Sequence, residues 1–132
     1  MKRRLQQAAN SNIKFLDYVG SEKVNELVSK ARAFIHAGIE DFGIAPVEAQ
    51  SCGTPVIGYN AGGLVETVID GKTGVLFNTQ TSEAILKSLK RFKAIKFDYA
   101  FIGKHAQQFS ENTFKNNFQK FVENKIDSFC KS

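Results

Sequence analysis

Residues 33–59 read AFIHAGIEDFGIAPVEAQSCGTPVIGY, and the way short apolar runs enclose a helix-forming stretch decides the fold. Ala33-Phe34-Ile35-His36-Ala37 has the continuous apolar character of a parallel strand buried on both faces. A turn follows over Gly38 to Gly43. Pro46 suits the first turn of a helix, where its missing N–H has no partner to lose, and that helix carries Val47, Glu48, Ala49 and Cys52. Gly53 ends it, and Pro55-Val56-Ile57-Gly58-Tyr59 is a second buried strand. Strand, helix and strand in such close succession imply a crossover between parallel strands.

The same alternation continues outward. Asn60-Ala61-Gly62-Gly63 is a loop that leads into a brief helix with Leu64, Val65, Val68 and Ile69. Asp70-Gly71-Lys72-Thr73-Gly74 is a turn, and Val75-Leu76-Phe77 a third strand. From Thr81 the spacing is helical, with Ile85, Leu86, Leu89 and Phe92 on one face. A further helix is expected from Tyr99 to Phe109. A last one begins near Ser110, with Phe114, Phe118, Phe121, Val122 and Phe129 as a stripe expected to pack. Toward the amino end, Ser21 is expected to cap a helix bearing Val24, Leu27, Val28 and Ala31. Ile13-Lys14-Phe15-Leu16 fits another strand, and Lys2 to Asn10 a helix. The fold class is therefore α/β, an open parallel sheet flanked by helices with further helices at the carboxyl end.

With 132 residues, of which 42% are hydrophobic, the chain has the size of one domain and can bury a core, which excludes disorder. Two cysteines, Cys52 and Cys130, make neither a disulfide framework nor a metal-ligand pattern, and a reducing cytoplasm is expected. No apolar run reaches the roughly 18 residues of a membrane span, and residues 1–12 lack the apolar core of a secretory signal. The net charge of +5 resides wholly in residues 90–132. Such basic helices meet nucleic acid, an anionic membrane or only water; here the lysines are spread out, which favours a solvated face.

In open α/β sheets ligands bind beyond the carboxyl ends of the strands, and the turn after His36, Gly43 and Gly62-Gly63 all fall there. Glu40 and Glu48, with seven residues between them, flank the start of a helix whose free N–H groups favour an anion. Ionised carboxylates accept strong bonds from pairs of sugar hydroxyls. Phosphate-linked sugars fit both features.

The stretch from Glu40 to Ile57 resembles the donor-binding signature of retaining glycosyltransferases of family 4, also called group 1, with the GT-B fold. The likeness continues through the Gly62-Gly63-Leu64-Val65-Glu66 loop and Asp70 to Phe77, and reaches back to Ile13-Lys14-Phe15-Leu16 and Ala31 to Ile35. The resemblance implies a Rossmann-like nucleotide-sugar-binding domain spanning residues 1–132, most of the carboxyl-terminal donor domain of such an enzyme. It implies that the amino-terminal acceptor domain is absent, and with it the Arg and Lys that neutralise the donor diphosphate, a part that Arg3 and Arg4 do not take. It also implies that Glu40 contacts hexose hydroxyls at the reaction centre as the catalytic residue, and that Glu48 binds ribose. The backbone N–H groups of Phe42, Gly43, Ile44 and Ala45 would face sugar and diphosphate, with Tyr18 and Val19 bordering the base.

The wording Glu-Asp-Phe-Gly-Ile with Pro-Val-Glu is most similar to bacterial mannosyltransferases that use GDP-mannose to build lipopolysaccharide or related polysaccharides. By the same likeness no metal and no cofactor is expected. The acceptor would be a saccharide or lipid-linked saccharide, and the place the cytoplasm or the cytoplasmic face of the inner membrane. The isolated chain is expected to be inactive. A non-catalytic nucleotide-binding module and a basic nucleic-acid-binding domain remain as alternatives, although no nucleic-acid partner is expected. Local readings also exist for single residues. His36 is expected to be structural, Cys52 a small core residue, Glu66 a helix-start charge as readily as a ligand, and Asp41 has no assigned part.

Overall fold

A strand gains its stability from partners, and three of the apolar runs find them in a computed structural model that describes residues 1–130. The strands are β1 (Phe34–His36), β2 (Val56–Tyr59) and β3 (Gly74–Phe77). They lie side by side in sequence order, all parallel, with Phe34 opposite Val56 and Val56 opposite Gly74. The helices are α1 (Lys2–Ala8), α2 (Ser21–Lys30), α3 (Ile44–Ser51), α4 (Leu64–Thr67), α5 (Ser82–Ala94), α6 (Tyr99–Ala106) and α7 (Glu111–Cys130), with a 3-10 turn at Gln107–Phe109 before the last.

Alternation along the strands divides the core in two. On one face Val56, Ala49, Leu64 and Val68 are buried together, with Val28, Phe34 and Leu76 against them. Val75, which points the other way from Leu76, joins Phe97 and Ile102, flanked by Phe92 and Ile95. The central strand β2 is buried at Val56, Ile57 and Gly58, while Ile35 of the edge strand β1 is 50% exposed. Local chemistry places the helix starts: Thr81 accepts from the Ala84 N–H, Asp98 from the Phe101 N–H and Ser110 from the Thr113 N–H.

Three expectations need correction. Ile13–Leu16 forms no strand and pairs with none of the three strands of the sheet, which leaves Ile13, Phe15 and Leu16 exposed. Ser21 is the first residue of α2 rather than its cap; Gly20 takes the cap position, and no side-chain bond is made there. The stripe on α7 is regular but uncovered: Phe114, Phe118 and Phe121 are 66%, 58% and 59% exposed, and the helix buries no residue. It meets the body chiefly through the 3-10 turn that precedes it.

One polar clamp fixes the sheet's far side. The Asp70 carboxylate accepts from Arg91 of α5 at 2.7 Å and from the Leu76 N–H at 2.9 Å. Burial raises the Asp70 pKa, but the Arg91 guanidinium and the Leu76 N–H outweigh it, so the net shift is downward. A carboxyl held below its unfolded value adds stability above that value, about 3.9, and loses it as the pH falls through the folded value. Both side chains are more than a third exposed, so the pair contributes no more than about 1 kcal/mol. Asp70→Asn should therefore lower stability at pH 7 by up to about that amount and make no difference near pH 2, as read by urea unfolding at both pH values.

Candidate donor site at the carboxyl ends of the strands

Parallel strands bring the loops that follow them to one end, and here those loops are tied together. The Gly63 N–H, after β2, donates to the Glu40 carbonyl, after β1, at 2.8 Å. A Cβ at Gly62 would overlap the Glu40 carbonyl oxygen, and one at Gly63 would overlap the Phe42 backbone. The Gly-Gly pair is therefore required by backbone approach. The loop after β3 joins in: Gln80 donates from its side-chain amide to the Ala37 carbonyl at 2.8 Å, and the Asn60 N–H reaches the Phe77 carbonyl at 2.8 Å.

This closure places the start of α3. Gly43 sits at its cap with φ of +79°, a left-handed conformation that suits glycine. No side chain caps the helix, and the ladder begins with the Val47 N–H on the Gly43 carbonyl. The N–H groups of Ile44 and Ala45 precede that ladder, and Pro46 has none, so the positive end of the helix is offered by backbone alone. The Phe42 ring packs edge-on to Phe109 at 6.1 Å.

Glu40, Phe42, Gly43, Ile44 and Ala45 thus form one continuous rim with Gly62-Gly63. The Glu40 carboxylate is half-exposed, with His36 Nε2 3.7 Å from its Oε1. Glu48 lies a turn further along α3, exposed, on the wall of an open cleft of about 790 Å³ between α3 and α6 that Ser51, Cys52, Tyr99 and Lys104 also line. Tyr18 and Val19 lie in irregular chain before α2, Tyr18 in a bend and fully open and Val19 half-buried; no hydrogen bond among the described residues joins them to the Glu40 loop. Glu66 and Asp41 are exposed, Glu66 in the first turn of α4. Cys52 caps the end of α3 and is only partly buried, so it is not a core residue in the full sense. Among the described residues no three His, Cys, Asp or Glu side chains converge as metal ligands. Gln80 and the approach of His36 to Glu40 escaped the sequence reading, since neither has a local pattern.

The family model described as "Glycosyl transferases group 1" matches residues 1–116. The chain belongs to the group 1 glycosyl transferases. Among curated relatives, a D-inositol 3-phosphate glycosyltransferase of Paenarthrobacter aurescens is 54% identical over 37 residues, 28% of this chain and 9% of that protein. The alpha-1,3/1,6-mannosyltransferase ALG2 of Dictyostelium discoideum is 43% identical over 65 residues, 48% of this chain and 16% of that protein. The chain thus spans less than a fifth of the length of either relative. A solved sucrose-phosphate synthase from Thermosynechococcus elongatus superposes with a TM-score of 0.71 at 24% identity, covering 96% of this chain and 34% of that one, which establishes the fold.

In this group 1 domain the loop closure leaves no room at Gly63 for a single added carbon, which would meet the Phe42 backbone. Gly63→Ala should lower the melting temperature by roughly 5 °C or more, since overpacking costs about 1–3 kcal/mol. It should also move the amide resonances of Glu40 to Gly43 in a ¹H–¹⁵N spectrum. Gly20→Ala, where a Cβ meets nothing within 4 Å, is the control.

Proposed function

We propose that this chain is the donor-binding part of a retaining hexosyltransferase, and that the donor is GDP-mannose. The observation that carries the reading is the bond from Gly63 to Glu40, which presents a half-exposed carboxylate and the bare start of α3 on one rim. A carboxylate beside uncapped N–H groups suits a sugar whose hydroxyls sit next to a phosphate. The likeness to a mannosyltransferase supports mannose as the sugar.

In this reading Glu40 holds hexose hydroxyls at the reaction centre and is the catalytic residue. The N–H groups from Phe42 to Ala45 face sugar and diphosphate, Glu48 binds ribose, and Val19 borders the base. Helix N-termini stabilise the leaving diphosphate as charge develops on it, and no metal or cofactor takes part. The acceptor hydroxyl attacks the face from which the diphosphate leaves, so the configuration at the anomeric carbon is retained. The acceptor, a saccharide or lipid-linked saccharide of a polysaccharide pathway, is held by a further domain. The exposed apolar stripe of Phe114, Phe118 and Phe121 supports that reading, because contiguous apolar surface marks interaction sites. The complete enzyme works in the cytoplasm or at the cytoplasmic face of the membrane.

Glu48→Gln should weaken GDP-mannose binding about ten- to a hundredfold, the loss expected for a charge-assisted bond. Calorimetry on the folded variant checks it, and unchanged affinity removes Glu48 from the site. With radiolabelled GDP-mannose and saccharide acceptors this chain alone should transfer nothing, since positioning of the acceptor is worth roughly 7–11 kcal/mol of barrier. Titration with UDP-glucose and with an oligonucleotide discriminates the rivals. Salt-sensitive oligonucleotide binding without nucleotide selectivity would contradict the donor reading.

A further inference from the structure

The two histidines of this chain are placed in opposite circumstances. His105 is satisfied at both ring nitrogens: Nε2 lies 2.9 Å from the Thr67 carbonyl and Nδ1 lies 2.8 Å from the Gln108 amide. His36 is not. Its side chain is 16% exposed, and its Nε2 is buried without a hydrogen-bond partner. Burying a polar ring nitrogen without a partner is unfavourable, and such an atom in a folded protein calls for a reason.

The nearest acceptor is Oε1 of Glu40 at 3.7 Å. Both ends of this pair are held. His36 is the last residue of β1, in register with Gly58 of β2, and it points to the same side of the strand as Phe34, which packs on the core. The Glu40 backbone is fixed by the Gly63 N–H, and Ala37 between them by Gln80. Only the Glu40 side chain is free to move. Among the described residues no other group bonds its carboxylate. A separation of 3.7 Å is too long for a hydrogen bond, but bonds in unliganded sites often tighten when the ligand arrives.

We propose that His36 is a positioning residue that aims the Glu40 carboxylate at the donor sugar. The Nε2–H takes one carboxylate oxygen, and the other oxygen accepts from a sugar hydroxyl. The approach of the sugar closes the gap and gives the buried nitrogen its partner. The proposal rests on the reading of Glu40 as a sugar-binding group, and the test separates the two.

The test compares the affinity of this chain for GDP-mannose with that for GDP, which isolates the contribution of the sugar. Variants are His36→Phe, which keeps the ring and removes the donor; His36→Gln, which restores an amide donor; Glu40→Ala; and the His36→Phe/Glu40→Ala pair. The preference for the sugar nucleotide should fall about tenfold in His36→Phe and return in large part in His36→Gln. Glu40→Ala should abolish it, and adding His36→Phe should then change nothing further. A preference that survives Glu40→Ala, or is missing from the wild-type chain, overturns the Glu40 reading itself. A preference abolished by Glu40→Ala but untouched by His36→Phe overturns the positioning role alone. Long-range ¹H–¹⁵N spectra give a second readout, recorded with and without GDP-mannose. His36 should carry its proton on Nε2, and Glu40→Ala should shift that resonance while His105 stays in place. Identical His36 resonances in wild type and Glu40→Ala overturn the proposal.

Discussion

One backbone contact governs the upper end of this domain: the Gly63 N–H on the Glu40 carbonyl, made possible because neither Gly62 nor Gly63 carries a Cβ. Everything on the rim follows from it. With Glu40 held from below, the chain passes through Phe42 and reverses at Gly43 in a left-handed conformation, and α3 then begins with its first N–H groups unclaimed by any side chain. Leu64, the residue after Gly63, is fully buried with Val56 and Ala49. The same joint therefore couples the rim to the hydrophobic core, and a disturbance at either is felt at the other.

Much of this architecture is legible in the sequence because the responsible signals are local. Pro46 and Gly53 bracket α3, and the apolar runs at Phe34, Val56 and Val75 each become a strand within a residue or so of the expected bounds. The assembly of the turn after His36 and the loop after Tyr59 at one end follows from parallel strands, whose carboxyl ends must coincide. What escapes is pairing. Ile13–Leu16 has strand composition, but composition does not say whether a ladder is at hand, and here none is. The α7 stripe shows which side of the helix is apolar without showing what lies against it. Gln80 reaches Ala37 across 43 positions, a contact that no window along the chain reveals.

The candidate site divides in the same way. The rim from Glu40 to Ala45 is contiguous in sequence and stays contiguous in space. Glu48 stands a turn away on the wall of the α3–α6 cleft, and Val19 precedes α2 without a bond to the rim. His36, for which the sequence suggests only a structural part, is the residue whose buried, unpartnered nitrogen lies 3.7 Å from the Glu40 carboxylate. Strand-end side chains of this kind draw their meaning from the loop that folds over them.

The central claim is that the rim built by the Gly63–Glu40 contact binds the sugar-phosphate end of a nucleotide sugar. Chemical-shift mapping of this chain with GDP-mannose tests it most directly. The account predicts that the largest amide shifts fall on Glu40 to Ala45 and on Gly62 and Gly63, with smaller ones at Glu48, and that GDP alone leaves Glu40 nearly unmoved. Shifts confined to α7 or to the basic surface of α5 and α6, with the Glu40 rim unmoved at saturation, would contradict it.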